Sequence, residues 1–300
     1  MEDIMMDVSV IIVNYNTKEL TQSCIDSVFE KTEGINYEVI LVDNGSTDGS
    51  KEQFEKDTRI QYIYSEVNLG FGKANNLGYQ HSCGKYLFLL NSDTLILNNA
   101  IKEFFDGMES RTDRIACMGC ILMGRNGQRT HSYGKFPTLG NEIMRRVPLL
   151  RRYKKGRLGF DTKPISFIDQ HCFRVEYVSG ADLFMRKDIA DKYGLFDPDF
   201  FLYYEDTEMQ YRYQKHDFIS CIIDTPSIIH ITGGSQKGGI NRWNWKGIPG
   251  LMTCYKKMYG TIQLRLFKIV FLALMIPIAL IDWQYPVRIR LEYITKVIKS

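Results

Sequence analysis

Tyr86-Leu87-Phe88-Leu89-Leu90-Asn91-Ser92-Asp93 is the stretch on which the fold class turns. Five apolar residues in succession, without alternation, read as a strand buried on both faces, as in a parallel sheet covered by helices. The run ends in a polar triplet. That puts Asp93 at the carboxyl end of the strand, where open α/β sheets bind their ligands. Far along the chain, Phe200-Phe201-Leu202-Tyr203-Tyr204 runs into Glu205-Asp206, a second acidic site at the start of a helical segment. The two sites could face each other across a cleft. One carboxylate to hold a metal and one to take a proton are the minimum equipment for moving a group off a nucleoside diphosphate.

The segments around this strand repeat its logic. Val8-Ser9-Val10-Ile11-Ile12-Val13 is another buried strand, and Asn16 with Glu19 three residues on reads as a capping box for the helix after it. Leu20, Cys24 and Val28 give that helix one apolar stripe. Glu38-Val39-Ile40-Leu41-Val42 ends in the turn-rich Asp43-Asn44-Gly45-Ser46-Thr47-Asp48-Gly49. Gln61-Tyr62-Ile63-Tyr64 is a third strand. An amphipathic helix around Ile101, Phe104, Phe105 and Met108 and a strand over 115–123 follow. Strand and helix alternating at this spacing predict a mixed, mostly parallel sheet with flanking helices. Periodicity fades over 124–172, an excursion expected to face the acceptor. It returns at Glu176-Tyr177-Val178 and continues through strands over 218–223 and 228–231.

The chain has 300 residues, 44% of them apolar and 24% charged, an ordinary globular composition. The net charge of +3 is uneven: 141–163 carries +6 and 241–300 carries +8, leaving −11 on the rest, which holds the candidate chemistry. The basic segments suit a surface that meets anions such as phospholipid. Seven scattered cysteines fit reduced, buried thiols in a cytoplasmic protein better than a disulfide framework. Cys117-Met118-Gly119-Cys120 has no second pair at zinc spacing. The short acidic start, 1–7, does not read as a signal peptide. Over 269–281 no residue is charged. Thirteen residues fall short of the twenty or so of a spanning helix. An interfacial helix, with Trp283 and Tyr285 at headgroup level, and a buried packing helix both fit. The chain divides at 239/240, into a catalytic domain over 1–239 and a helical extension over 240–300.

Five motifs now stand in order: 10–16 with Asn14-Tyr15-Asn16, 42–48 with Asp43-Asn44-Gly45, Asn68-Leu69-Gly70-Phe71, Asn91-Ser92-Asp93 and Glu205-Asp206. Together they resemble the family 2 glycosyltransferases of GT-A fold, in particular bacterial rhamnosyltransferase-like members, over about residues 8–235. The resemblance implies an inverting transfer of rhamnose or another hexose from a dTDP- or UDP-sugar to a hydroxyl of a glycan acceptor, a lipid-linked oligosaccharide of surface-polysaccharide synthesis at the inner face of the cytoplasmic membrane. It implies that Asp93 binds Mg2+ or Mn2+ at the diphosphate, with Asn91 standing where the family's D-x-D has its first acid, and that His230 completes the metal site. It implies that Asp43 accepts from the nucleobase imide and that Asn14, Asn16, Asn68, Gly70, Asn75, Asn91 and Ser92 line the donor pocket. Asp206 is the implied general base, Glu205 its rival or partner, and Gly180 and Asp182 lie on the acceptor side.

Other classes fit less well. A sugar-nucleotide pyrophosphorylase wants a glycine-rich phosphate loop after the first strand, and here Asn14-Tyr15-Asn16-Thr17-Lys18 holds no glycine. The basic 141–163 stretch matches no nucleic-acid module. A degenerate transferase that only binds carbohydrate or a partner has Asn91 as its support.

Overall fold

The computed structural model describes residues 6–146, 164–231, 243 and 245–300. β1 (Val8–Asn14), α1 (Lys18–Lys31), β2 (Tyr37–Asp43), α2 (Ser50–Phe54), β3 (Gln61–Tyr64), α3 (Phe71–Gln80) and β4 (Tyr86–Asn91) form the first half. β5 (Thr94–Ile96), α4 (Ala100–Glu109), β6 (Ile115–Cys120), β7 (Tyr133–Gly134), α5 (Leu139–Arg146), β8 (Ser166–Asp169), β9 (Cys172–Val175) and β10 (Tyr177–Val178) follow. The remainder is β11 (Asp182–Arg186), α6 (Lys187–Tyr193), α7 (Glu205–Gln214), β12 (Ile219–Ile223), β13 (Ile228–His230), α8 (Ile248–Tyr259), α9 (Thr261–Ile281) and α10 (Val287–Lys299).

The main sheet has the order β3-β2-β1-β4-β11-β6-β12-β9-β8. β3, β2, β1 and β4 run parallel, as do β6 and β12. β11 is antiparallel to both β4 and β6, so the sheet is mixed, with its strands mostly in one direction. The alternation of a strand sends neighbours to opposite faces. Val8, Val10, Ile12, Tyr86, Phe88 and Leu90 pack in one core with α1 and α4. Ile11, Leu87 and Leu89 pack in the other, with α6 and α7. Helices cover both faces, which is why β1 and β4 read as unbroken apolar runs.

Several boundaries differ from the sequence reading. The strand expected over 115–123 ends at Cys120, and Met123 makes only isolated bridges to Arg129 and Ile229. The 124–172 excursion holds β7 and α5 and rejoins the sheet at β8. Most of the basic 141–163 stretch, the Thr232-Gly233-Gly234-Ser235 segment and the 239/240 boundary lie outside the described residues. Asn16 does not cap α1: its Oδ1 accepts instead from the Thr47 N–H at 2.7 Å. The free Lys18 N–H at the head of α1 is met from across the loop by Asp48 Oδ2 at 3.0 Å.

The three C-terminal helices share a core of their own, built on Trp243, Leu251, Tyr255, Phe267, Phe271, Tyr293 and Val297. Trp243 is fully buried, and its indole N–H donates to Asp282 Oδ2 at 2.8 Å. α9 is longer than its uncharged run: the helix has 21 residues and takes in Arg265 and Lys268. By length and composition alone it is long and apolar enough to cross a membrane, and 28% of its most apolar stretch is buried against the protein. Leu264, Phe267, Phe271, Met275 and Ala279 make the buried stripe, at helical spacing. The other side exposes Ile262, Leu266, Ile269, Leu274, Leu280 and Ile281.

Candidate active site

The strand register gathers the polar residues at one edge. Asn14 lies opposite Asp43 across β1 and β2, and Val13 opposite Asn91 across β1 and β4. Asn14, fully buried, is held by its own turn. Its Oδ1 accepts from the Thr17 and Thr21 hydroxyls, both at 2.9 Å, and its Nδ2 donates to Ser46 Oγ at 3.1 Å. Ser92 Oγ lies 3.1 Å from Thr17 Oγ1, which ties the end of β4 to the same turn. Asn68 Oδ1 accepts from the Gly70 N–H at 2.9 Å and from Asn44 Nδ2 at 3.1 Å. Asn91 sits half-buried at the rim.

Four residues expected to meet the donor or acceptor are buried and hydrogen-bonded within the protein. Asn14 has no exposed surface and its amide is spent on the turn. Asp43 is also fully buried: its Oδ1 accepts from the Ser46 N–H at 3.1 Å and its Oδ2 from the Tyr62 hydroxyl at 3.0 Å, so the carboxylate braces the loop after β2. Asn75 is buried, and its Nδ2 donates to the Phe71 carbonyl at 3.0 Å within α3. Asp182, expected on the acceptor side, lies wholly inside the sheet, where its Oδ2 accepts from the Cys120 N–H at 2.7 Å. Burial pushes the Asp182 carboxyl well above the usual range. Gly70 has φ 85°, and a Cβ there would collide with the Phe201 carbonyl oxygen. Its lack of a side chain serves the loop after β11 and α6 as much as any ligand.

Asp93 and His230, distant in sequence, meet because β5 and β13 pair with His230 opposite Thr94. His230 Nε2 lies 3.3 Å from Asp93 Oδ1, with both side chains mostly but not wholly covered. His230 Nδ1 is buried without a partner. Among the described residues no three His, Cys, Asp or Glu side chains converge. The protein thus offers one carboxylate oxygen and one imidazole nitrogen. Asp93 and His230 would serve as the protein donors to a Mg2+ or Mn2+ ion that takes the rest of its ligands from substrate and water.

Glu205 and Asp206 open α7. The two residues before them, Tyr203 and Tyr204, both have φ 70°, a region that non-glycine residues enter only when their surroundings hold them there. The Gly180 N–H donates to Asp206 Oδ2 at 2.7 Å, and Asp206 Oδ1 accepts from the Thr207 N–H at 2.6 Å. Asp206 is partly open to solvent. Glu205 is buried, and its Oε2 has no hydrogen-bond partner. Burial, then the neighbouring Asp206 charge, push the Glu205 carboxyl up to about 8. Burial also raises Asp206, against the Gly180 and Thr207 hydrogen bonds that pull it down. A helix N-terminus alone would lower both. Here the loss of water outweighs it, which leaves Asp206 a stronger base.

Two parts of this site escaped the sequence reading. Asn44 holds the 68–70 loop, accepting from the Leu69 N–H at 2.8 Å, and the side chain stands in a segment that reads as a turn. Lys257 of α8 reaches Asp197 and Asp199 at 2.7 and 2.8 Å, and nothing in its own surroundings signals that partner. Cys117 and Cys120 are both buried on β6, and burial pushes both thiols up, away from the thiolate that metal binding or redox chemistry needs.

The sequence profile described as glycosyl transferase family 2 matches residues 9–177. The hexosyltransferase Agl10 of low-salt glycan biosynthesis in Haloferax volcanii is 25% identical over 215 residues, 70% of this chain and 62% of that protein. The glycosyltransferase GlyG of Streptococcus pneumoniae is 30% identical over 108 residues, 35% of this chain and 36% of that protein. Across the curated relatives the matched stretch spans between 14% and 62% of the relative's length. The solved structure of GalNAc-T7 with UDP, GalNAc and Mn2+ superposes with a TM-score of 0.61 at 16% identity, covering 97% of this chain and 56% of that one. At that identity the likeness speaks for the fold alone, and the fold is GT-A.

Proposed function

The chain belongs to glycosyl transferase family 2, and from that premise we propose that it transfers a hexose, with inversion, from a UDP- or dTDP-linked donor to a hydroxyl of a glycan acceptor. One observation carries the reading. Asp206, a partly open carboxylate of raised proton affinity, is tethered to Gly180 beside the strand edge that ends in Asn91-Ser92-Asp93.

In this reading the acceptor hydroxyl approaches Asp206. As its oxygen bonds to the anomeric carbon, the proton passes to the Asp206 carboxylate and the bond from that carbon to the diphosphate oxygen breaks. The nucleoside diphosphate leaves from the opposite face, which inverts the centre. Glu205, kept neutral by burial, adds no second charge beside the base. Asp93 and His230 would hold the divalent cation, whose charge would offset that of the leaving diphosphate. The Asn16, Asn68, Asn91 and Ser92 loops would border the donor, and the partly open Asp206 beside the buried Gly180 would meet the acceptor.

The acceptor in this reading is lipid-linked, in synthesis of a surface polysaccharide, and the protein rests on the cytoplasmic face of the membrane. Support comes from the exposed apolar side of α9, continued by Trp283, which is 92% exposed. Arg265, Lys268, Arg288, Lys296 and Lys299 belong to the same C-terminal segment, which carries +8. An exposed apolar helix face in a basic segment complements an anionic bilayer surface, with the helix lying in the interface. Residues 1–239 would then be the catalytic domain and 240–300 its membrane-facing extension. A rhamnosyl donor remains within this proposal.

A thermal-shift screen of UDP, dTDP, GDP and CDP, each with and without Mn2+, tests the reading. Ligands that bind only the folded state raise its melting temperature. Stabilisation by UDP or dTDP that depends on Mn2+ is the expected result. No shift with any nucleotide would favour a degenerate, non-catalytic carbohydrate- or partner-binding protein.

A further inference from the structure

The head of α8 places two glycines against the loop that leads to Glu205 and Asp206. A Cβ on Gly250 would collide with the Tyr203 carbonyl oxygen and stand 3.0 Å from that of Leu202, and one on Gly247 would lie 3.6 Å from the Tyr203 ring. α8 therefore touches the backbone of the loop itself. The residues it touches adjoin the strained pair: Tyr203 and Tyr204 hold φ 70°, and such a backbone persists only where neighbours over-determine it.

Contact continues along α8 at helical spacing. Phe200 of the loop packs with Cys254 and Met258. The Tyr211 hydroxyl of α7 donates to the Met258 carbonyl at 3.4 Å. Lys257 Nζ bridges Asp197 Oδ2 at 2.7 Å and Asp199 Oδ2 at 2.8 Å, which ties down the start of the loop. On its other side the loop is held by Gly70 and by the Phe71 N–H, which donates to the Phe201 carbonyl at 2.8 Å. The segment 197–204 is thus clamped between the donor edge and a C-terminal helix outside the matched family profile.

We infer that α8 is a strut that sets the conformation of the base-bearing loop, with Gly250 and Lys257 as positioning residues for the transfer. The inference rests on the glycosyltransferase reading above. A base displaced by about 1 Å can lose on the order of 100-fold in rate while ligand binding is spared. The strut bears on the loop that opens into Asp206 and reaches the donor edge only through that loop, so it governs kcat more than donor affinity.

The test uses the full chain as wild type, Gly250→Ala, Lys257→Met and Lys257→Arg, assayed with Mn2+ against UDP- and dTDP-hexoses. Gly250→Ala is expected to lower kcat about 10- to 100-fold, with donor KM and the UDP- or dTDP-induced melting shift within about twofold. Lys257→Met should move kcat the same way, and Lys257→Arg should retain most of it. Amide exchange should quicken over 197–206 and stay unchanged over 43–49. The proposal is overturned if kcat stays within about twofold in both Gly250→Ala and Lys257→Met, or if kcat and donor binding fall together with the melting temperature. If the wild type turns over no donor, the functional reading fails and exchange alone judges the strut: unchanged protection over 197–206 in Gly250→Ala overturns it.

Discussion

The backbone N–H of Gly180 donates to Asp206 Oδ2 across 2.7 Å. The next residue, Ala181, accepts from the Asn91 N–H at 3.0 Å. Two consecutive residues before β11 thus join the head of α7 to the end of β4, and an acid late in the chain acquires a fixed place beside the sheet edge.

Asp206→Asn keeps the shape and the Thr207 and Gly180 neighbours but removes the proton acceptor. Turnover should fall by roughly 10²–10⁴-fold, with UDP- or dTDP-induced stabilisation retained. A variant that keeps most of its turnover would move the base to another group.

Glu205 gives a pH signature. An unfolded glutamate ionises near 4.3, while the folded one holds its proton up to about 8. Between these values the unfolded state binds fewer protons, so stability falls as pH rises through the window and levels off above it. Glu205→Gln removes this slope. Melting temperatures from pH 5 to 8.5 should show wild type losing ground to the variant as pH rises; parallel curves would contradict the assignment.

Asp93→Asn and His230→Ala should each abolish most of the Mn2+-dependent part of the nucleotide melting shift and leave the metal-independent part in place. EDTA should act on the wild type as these substitutions do. A full Mn2+ effect in both variants would place the ion elsewhere.

These predictions show which parts of the site could be read in advance. Asp93 follows the apolar run of β4 and Asp206 opens α7, positions that periodicity made legible, while their proposed roles and that of His230 rest on the family resemblance. The meeting of Asp93 with His230 depended on β5 pairing with β13, a contact that neither short strand announces. The burial of Asp43, Asn14 and Asp182 was not legible for one reason: a polar residue at a strand end turns outward or inward according to partners supplied by other segments. Here those partners are Tyr62, Thr21 and Cys120. The length of α9 was hidden because Arg265 and Lys268 interrupt the apolar run without interrupting the helix.

Gly70→Ala should destabilise the fold by roughly 1–3 kcal/mol, since φ 85° is a glycine conformation and the Phe201 carbonyl occupies the Cβ position. Chemical denaturation measures it. A change within about 0.5 kcal/mol, the range of ordinary surface substitutions, would mean that the loop yields freely.

Replacing Leu280 and Ile281 by Glu puts two charges on the exposed end of α9. Sedimentation with anionic phospholipid vesicles should drop sharply, with the melting temperature little changed. Undiminished sedimentation would remove α9 from the membrane contact.

The most direct test of the central claim follows the sugar itself. Wild type and Asp206→Asn are incubated with Mn2+ and α-linked UDP-hexoses, and proton NMR follows the anomeric configuration of the sugar transferred to an added glycan acceptor or to water. The account predicts that wild type forms the β product from one or more donors and that Asp206→Asn does not. Product of retained α configuration, or equal turnover by the variant, would contradict it.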